Sequence, residues 1–219
     1  MTFDLVLVRH GRTEPQPGVP AASWVLARSA LDEVRRLAEA LAREAGGRVD
    51  ASLDAPVDAS LDAPVDAPVD AVVTSSEPKA IATGRALARA WRVPATIGHD
   101  LEEHHRGATP VLAPEAWRQT IRRFFAQPDV LVFGSETAHE AVARFERGVY
   151  AALAERPGKR LALVTHGTVL AATLAKANGL DAFALWSSLG MPEALLVRAA
   201  DLRLVGRVVP SSDEASRDG

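Results

Sequence analysis

Apolar residues in this chain follow two rhythms. Short unbroken runs at 5–8, 71–73 and 161–164 have the length and composition of strands buried on both faces. Between them, apolar positions recur every three or four residues, the spacing of one helix face. Ala30, Val34, Leu37, Leu41 and Ala45 predict a helix over 29–45, with Ser29 as N-cap and Gly46-Gly47 as its stop. Pro78 suits the first turn of a second helix that runs to Trp91, with Ala80, Ile81, Leu87 and Trp91 facing inward.

A short strand is predicted at 95–97, followed by a charged stretch over 99–107. Trp117, Ile121, Phe124 and Phe125 form the apolar face of a helix over 114–126. Ser135 opens a longer one, striped by Ala138, Val142, Phe145, Val149 and Leu153 as far as about residue 155. Helices over 169–177 and 182–187 follow the 161–164 run, and 195–198 with 202–209 read as a closing hairpin that turns at Ala200-Asp201. Strands alternating with helices predict α/β layers around a largely parallel sheet.

One segment breaks the rhythm. ASLDAPVD occurs at 51–58 and again at 59–66, then APVD at 67–70, and its prolines remove the donors a central strand needs. The expectation is a single domain over 1–209, carrying an acidic low-complexity insertion at about 48–70 and ending in a disordered tail at 210–219.

Two strand ends carry the same words. LVLV at 5–8 runs into Arg9-His10-Gly11, and LALV at 161–164 runs into Thr165-His166-Gly167. In open α/β sheets, ligands bind at the carboxyl ends of strands. The repetition therefore predicts two imidazoles brought face to face.

Composition narrows the chemistry. The chain has no cysteine, which excludes disulfides, thiolate metal sites and a cysteine nucleophile. A net charge of −3 gives no reason to expect nucleic acid, and the acidic residues concentrate in the repeat, leaving the remainder mildly basic. That balance suits a small anionic substrate. The longest apolar runs are far too short to span a membrane, and the N-terminus has no secretory pattern, so a cytoplasmic protein without membrane or nucleic-acid partners is expected. Oligomeric state has no signature in the sequence. His99, Asp100, Glu103, His104 and His105 fit no HExxH or comparable pattern, so neither a metal nor a cofactor is expected.

With the two strand ends side by side, Arg9 offers a planar fork of donors suited to phosphate oxygens, and Lys79 at a helix start adds positive charge. A neutral His10 can attack phosphorus while His166 steadies the oxygens. Glu103 is the candidate acid for a leaving alcohol, because like charge on a nearby phosphate raises a carboxyl pKa; Glu102 is its close rival.

These residues resemble the signature of the histidine phosphatase superfamily, which includes the cofactor-dependent phosphoglycerate mutases. Arg9-His10-Gly11-Arg12-Thr13 is similar to its RHG motif, Ser75 to Thr83 to its second motif, and Leu101-Glu102-Glu103 with Gly107 to the segment supplying its acid. Glu136 with Arg144 resembles its helix motif, and Thr165-His166-Gly167 its second histidine motif. The resemblance implies a three-layer α/β sandwich, His10 as nucleophile, Arg9, Lys79 and His166 as the phosphate pocket with Thr13 as a further contact, and Glu103 as proton donor. Lys79 stands where the family most often has arginine, and Glu14-Pro15-Gln16 where many members place an asparagine. His104, His105 and Arg106 stand where a tryptophan often follows the acid.

The function expected is metal-independent hydrolysis of small phosphomonoesters through a phosphohistidine. Phosphoglycerate mutase-type transfer is one alternative, although about thirty residues between Glu103 and Ser135 are few for a mutase lid. A non-catalytic phospho-ligand-binding module is the other.

Overall fold

The structure, a computed structural model, describes residues 3–16, 18–46, 66–107 and 112–210. The repeat up to residue 65 and the tail from residue 211 lie outside the described residues. Among those described, six strands form one sheet: β1 (Leu5–Arg9), β2 (Ala71–Thr74), β3 (Ala95–Ile97), β4 (Leu161–Thr165), β5 (Glu193–Arg198) and β6 (Arg203–Val208). The spatial order is β3-β2-β4-β1-β5-β6, with β1 to β4 mutually parallel and β5 and β6 antiparallel additions at one edge.

Alternation along β1 divides the core. Leu5 and Leu7 join a cluster with Leu161, Leu163, Phe124, Phe145 and Leu170, while Val6 and Val8 join another with Leu37, Leu41, Leu87, Trp91 and Val164. Successive strand side chains point to opposite faces, so each face of the sheet needs its own helical cover. Helices α1 (Ala30–Glu44) and α2 (Pro78–Trp91) cover one face. On the other lie α3 (Pro114–Ala126), α4 (Ala138–Ala154), α5 (Gly167–Asn178) and α6 (Ala182–Ser188). The result is the expected three-layer α/β sandwich. Each fully buried leucine in these clusters contributes roughly 1.5–3 kcal/mol by leaving water.

Three local expectations are corrected. Ser29 occupies the N-cap position of α1 in helical conformation and its side chain makes no capping bond. Helix α4 starts three residues later than expected, because Thr137, not Ser135, caps it: the Thr137 side chain accepts from the Glu140 N–H while the Glu140 carboxylate accepts from the Thr137 N–H. Ile81 is only half-buried; Thr83 and Gly84 face inward in its place. Here the helix packs close to the sheet, and a large side chain at Gly84 would run into Thr74 and Val72.

Candidate active site

Strand pairing assembles the site. β1 and β4 lie side by side with Arg9 opposite Thr165, so His10 and His166 leave the sheet at the same height from adjacent strands. Their ring centroids are 5.1 Å apart with planes inclined at 61°. Both are buried, His166 completely.

The two imidazoles have different partners. His10 Nδ1 lies 2.7 Å from the carbonyl oxygen of Gly11. A carbonyl only accepts, so Nδ1 carries the proton and Nε2 keeps its lone pair. Burial, reinforced by the positive charges of Lys79 and Arg9, pushes the His10 pKa down to about 3, which keeps the ring neutral. The Gly11 N–H donates to Thr83 Oγ1 (3.1 Å), fixing the backbone that holds His10. On the second strand end it is His166 Nε2 that is engaged, 2.7 Å from Ser75 Oγ and 3.4 Å from a Glu77 carboxylate oxygen. Its Nδ1 has no protein partner among the described residues, and burial holds its pKa well below the usual range.

Arg9 reaches across this floor. Its Nη1 donates to the Leu189 carbonyl (2.7 Å), and its Nε is buried without a protein partner among the described residues. A Cβ on Gly167 would come within 2.8 Å of that Nε, so glycine after the second histidine lets the guanidinium lie against the chain. Lys79, in the first turn of α2, turns its ammonium toward the same region, but the Glu77 carboxylate pairs with it and the Ala21 carbonyl accepts from it (2.8 Å). Glu77 also accepts from the Glu103 N–H (2.8 Å), and burial raises its pKa despite the pull of Lys79.

Glu103 comes from the connection between β3 and α3 and is set at the start of α5. Its carboxylate accepts from the N–H groups of Thr168 (3.1 Å), Val169 (3.2 Å) and His104 (2.9 Å) and lies 3.4 Å from Arg106 Nη2. Burial opposes the charge, yet Arg106 and these N–H groups outweigh it and hold the carboxyl below its ordinary range. Glu102 points elsewhere, accepting from Ser76 Oγ (2.7 Å). Of the two rivals, only Glu103 has its side chain bonded to the helix that carries His166.

The Glu136–Arg144 pair is the clamp on this connection. Arg144 binds both Glu136 oxygens (3.0 and 2.6 Å) and donates to the main-chain carbonyls of Asp100, Glu102 and Glu103 at 3.1–3.2 Å. Glu136 accepts from the His105 N–H (2.8 Å). A buried bidentate pair whose donors also bind three carbonyls within residues 100–103 fixes where Glu103 sits.

Arg9, His10, Thr13, Lys79 and Glu103 all line one cavity of about 670 Å³, and His166 lies buried beside His10. Thr13 is placed there by a bridge to Leu26. Sequence reasoning gave no separate role to Ser75, Glu77 or Thr83, whereas Arg106, noted with His104 and His105 after the acid segment, lines the cavity. Ser75, Glu77 and Thr83 stand inside the second motif, where nothing in the residue types or spacing sets them apart. Among the described residues, no three His, Asp or Glu side chains converge as metal ligands, and no helix is long and apolar enough to cross a membrane.

The sheet and its helix layers share their fold with solved phosphatase structures. The mycobacterial glucosyl-3-phosphoglycerate phosphatase is 20% identical, with 95% of this chain and 98% of that one covered and a TM-score of 0.58. The α-ribazole phosphatase from Shigella flexneri is 20% identical over 94% and 96%, with a TM-score of 0.60. A mutant phosphoserine phosphatase from Entamoeba histolytica in complex with phosphoserine is 12% identical over 93% and 95%, at 0.62. A search of curated proteins finds no match. The chain belongs to the histidine phosphatase superfamily, branch 1, whose family model matches residues 58–198. That match begins after Arg9-His10-Gly11, so the first strand end is tied to the rest by its place in the sheet.

Proposed function

We propose that this protein is a metal-independent phosphatase that hydrolyses small phosphomonoesters through a phosphohistidine on His10. One observation carries the reading: His10 Nδ1–H donates a hydrogen bond to the Gly11 carbonyl, and the neutral ring presents Nε2 beside Arg9 and Lys79 in an open cavity. Family membership and the phosphatases that share the fold support it.

In the first step, Nε2 attacks phosphorus and the P–O bond to the alcohol breaks. Positive charge develops on the imidazole, and the Gly11 carbonyl, accepting from Nδ1–H, stabilises it. Arg9, with its unpartnered Nε, and His166 meet the equatorial oxygens, where donors aimed at developing charge have their largest effect. Glu103 delivers a proton to the leaving oxygen. As a free carboxylate it is held ionised, and the negative charge of a bound phosphate raises its pKa and loads it with the proton it must give. In the second step, Glu103, now a base, takes a proton from water, whose oxygen attacks phosphorus, releases phosphate and restores His10.

Release of inorganic phosphate from p-nitrophenyl phosphate, together with an acid-labile, base-stable phosphoenzyme trapped by rapid quench, tests this. Full activity in His10→Ala overturns it. Isomerised phosphoglycerate without free phosphate establishes a mutase instead, and phosphate binding with turnover no faster than buffer establishes a binding module.

A further inference from the structure

Three of the chain's four tryptophans, Trp24, Trp117 and Trp186, line the cavity that holds His10. They arrive from three separate places: the connection after β1, helix α3 and helix α6. Each is held by a different contact. Trp24 Nε1 donates to the Val19 carbonyl (3.0 Å), Trp117 meets the Phe133 ring edge-on at 5.3 Å, and Trp186 stacks on Phe183 at 5.9 Å and 29°. Tryptophan left half-exposed and locked by a partner is a poor way to build a core and a good way to build a recognition wall.

The wall has a definite orientation relative to the chemistry. Arg106 contacts the Glu103 carboxylate at 3.4 Å and lays its guanidinium over the Trp117 ring at 4.4 Å. Trp117 is thus joined through Arg106 to the proposed proton donor, on the side where the alcohol must leave. Charge in the cavity also has a pattern. Lys79 is matched by Glu77, Arg106 by Glu103, and Glu102 adds a further negative charge. Beyond Arg9, the cations that line the cavity are paired with carboxylates, a poor setting for a leaving group carrying its own carboxylate or second phosphate.

From this juxtaposition we infer that the alcohol part of the substrate is a flat aromatic group without negative charge, seated against Trp117 and Trp186 while its phosphate faces His10. The inference rests on the phosphatase reading and narrows it from phosphomonoesters in general to aryl-bearing ones.

The test compares 2-phenylethyl, 2-cyclohexylethyl and n-butyl phosphates, three alkyl esters whose leaving alcohols are similar in acidity, so differences report binding of the organic group and not bond strength. The wild-type protein is expected to favour the phenyl ester over the butyl ester by about tenfold or more in kcat/KM, with the cyclohexyl ester in between. In Trp117→Ala and Trp186→Ala the phenyl-to-butyl ratio should fall toward one, and the ratio cancels any general loss of folding or of phosphate chemistry. Equal kcat/KM for phenyl and cyclohexyl esters, or ratios unmoved in both variants, overturns the inference while phosphate release leaves the phosphatase reading standing. If none of the three is hydrolysed, p-nitrophenyl phosphate decides the phosphatase reading and calorimetric Kd values for the three esters decide the inference: a phenyl ester bound tightest supports it, and equal Kd values overturn it.

Discussion

The ends of β1 and β4 are written in nearly the same letters, yet the structure gives their histidines opposite hydrogen-bond assignments. His10 has its Nδ1 committed to its own Gly11 carbonyl, and its Nε2 has no hydrogen-bond partner among the described residues. His166 has its Nε2 committed to Ser75 and its Nδ1 without a protein partner among the described residues. A backbone carbonyl admits one tautomer, whereas a serine hydroxyl can donate or accept. The first strand end therefore holds its ring, the proposed nucleophile, in one tautomer, and the second leaves its ring adjustable. Near-identical local sequence supplies the ring; the neighbour decides its chemistry.

That contrast predicts unequal losses. His10→Ala removes the nucleophile and should lower kcat by about 10⁴-fold or more, with no phosphoenzyme trapped. An activity loss equal to that of His166→Ala would erase the distinction between the two ends. Glu103, bound to the first turn of α5 just after His166, extends the second strand end. Glu103→Gln should cost about 10²–10⁴-fold on alkyl phosphates, and much less on p-nitrophenyl phosphate, whose leaving group needs little protonation. A loss independent of leaving group would remove Glu103 from the acid's role.

His166→Ala should reduce kcat by about 10²–10³-fold while still permitting slow phosphoenzyme formation, the size expected for losing one donor to the transition state. Ser75→Ala sharpens this further. It leaves both histidines in place and frees the His166 tautomer, so a drop of roughly tenfold is expected, within the cost of one hydrogen bond to a polar ring. No change would show that Ser75 does not set that tautomer.

A separate effect is on stability and not on rate. The folded pKa of His10 is pushed down to about 3 from the ordinary 6.5, so between those values the unfolded chain binds the proton and the folded one does not. Stability is therefore present above pH 6.5 and lost as pH falls, by up to about 1.4 kcal/mol per pH unit for one such histidine. His166 and His104, also shifted down, act with the same sign. Urea midpoints at pH 7, 6 and 5 should decline more steeply in the wild type than in His10→Gln. Parallel slopes would mean that His10 titrates in the folded protein.

Much of this architecture was legible in the pattern. Strands β2 and β3 and helix α3 fall where apolar runs and spacing place them, because such periodicity records burial on one or both faces. Ser29 misled as a cap and Ser135 as a helix start, since a serine before an apolar stripe is only an opportunity; Thr137 caps α4 through its reciprocal bond with Glu140. Arg9, His10, Lys79, Glu103 and His166 were visible as residue types at strand and helix ends, and the structure brings all five together. Glu77 was not, since nothing in a Glu-Pro-Lys triplet tells that the acid folds back onto the lysine and meets the Glu103 N–H. The tryptophans were not either: Trp117 read as part of a core face and is half-buried at the cavity.

What the sequence by itself determined is local: which runs are strands, which stripes are helix faces, and that a histidine followed by glycine ends two of those strands. Each follows from side-chain chemistry repeated at a period of two or 3.6 residues. Only the tertiary structure decided that β4 lies against β1, that Gly11 takes one imidazole proton while Ser75 engages the other ring, and that Arg106 joins Glu103 to a tryptophan wall. The pairing of β1 with β4 and the contact of Ser75 with His166 link positions far apart in the chain. They depend on the order of strands in the sheet and the course of the connections, which no local period encodes.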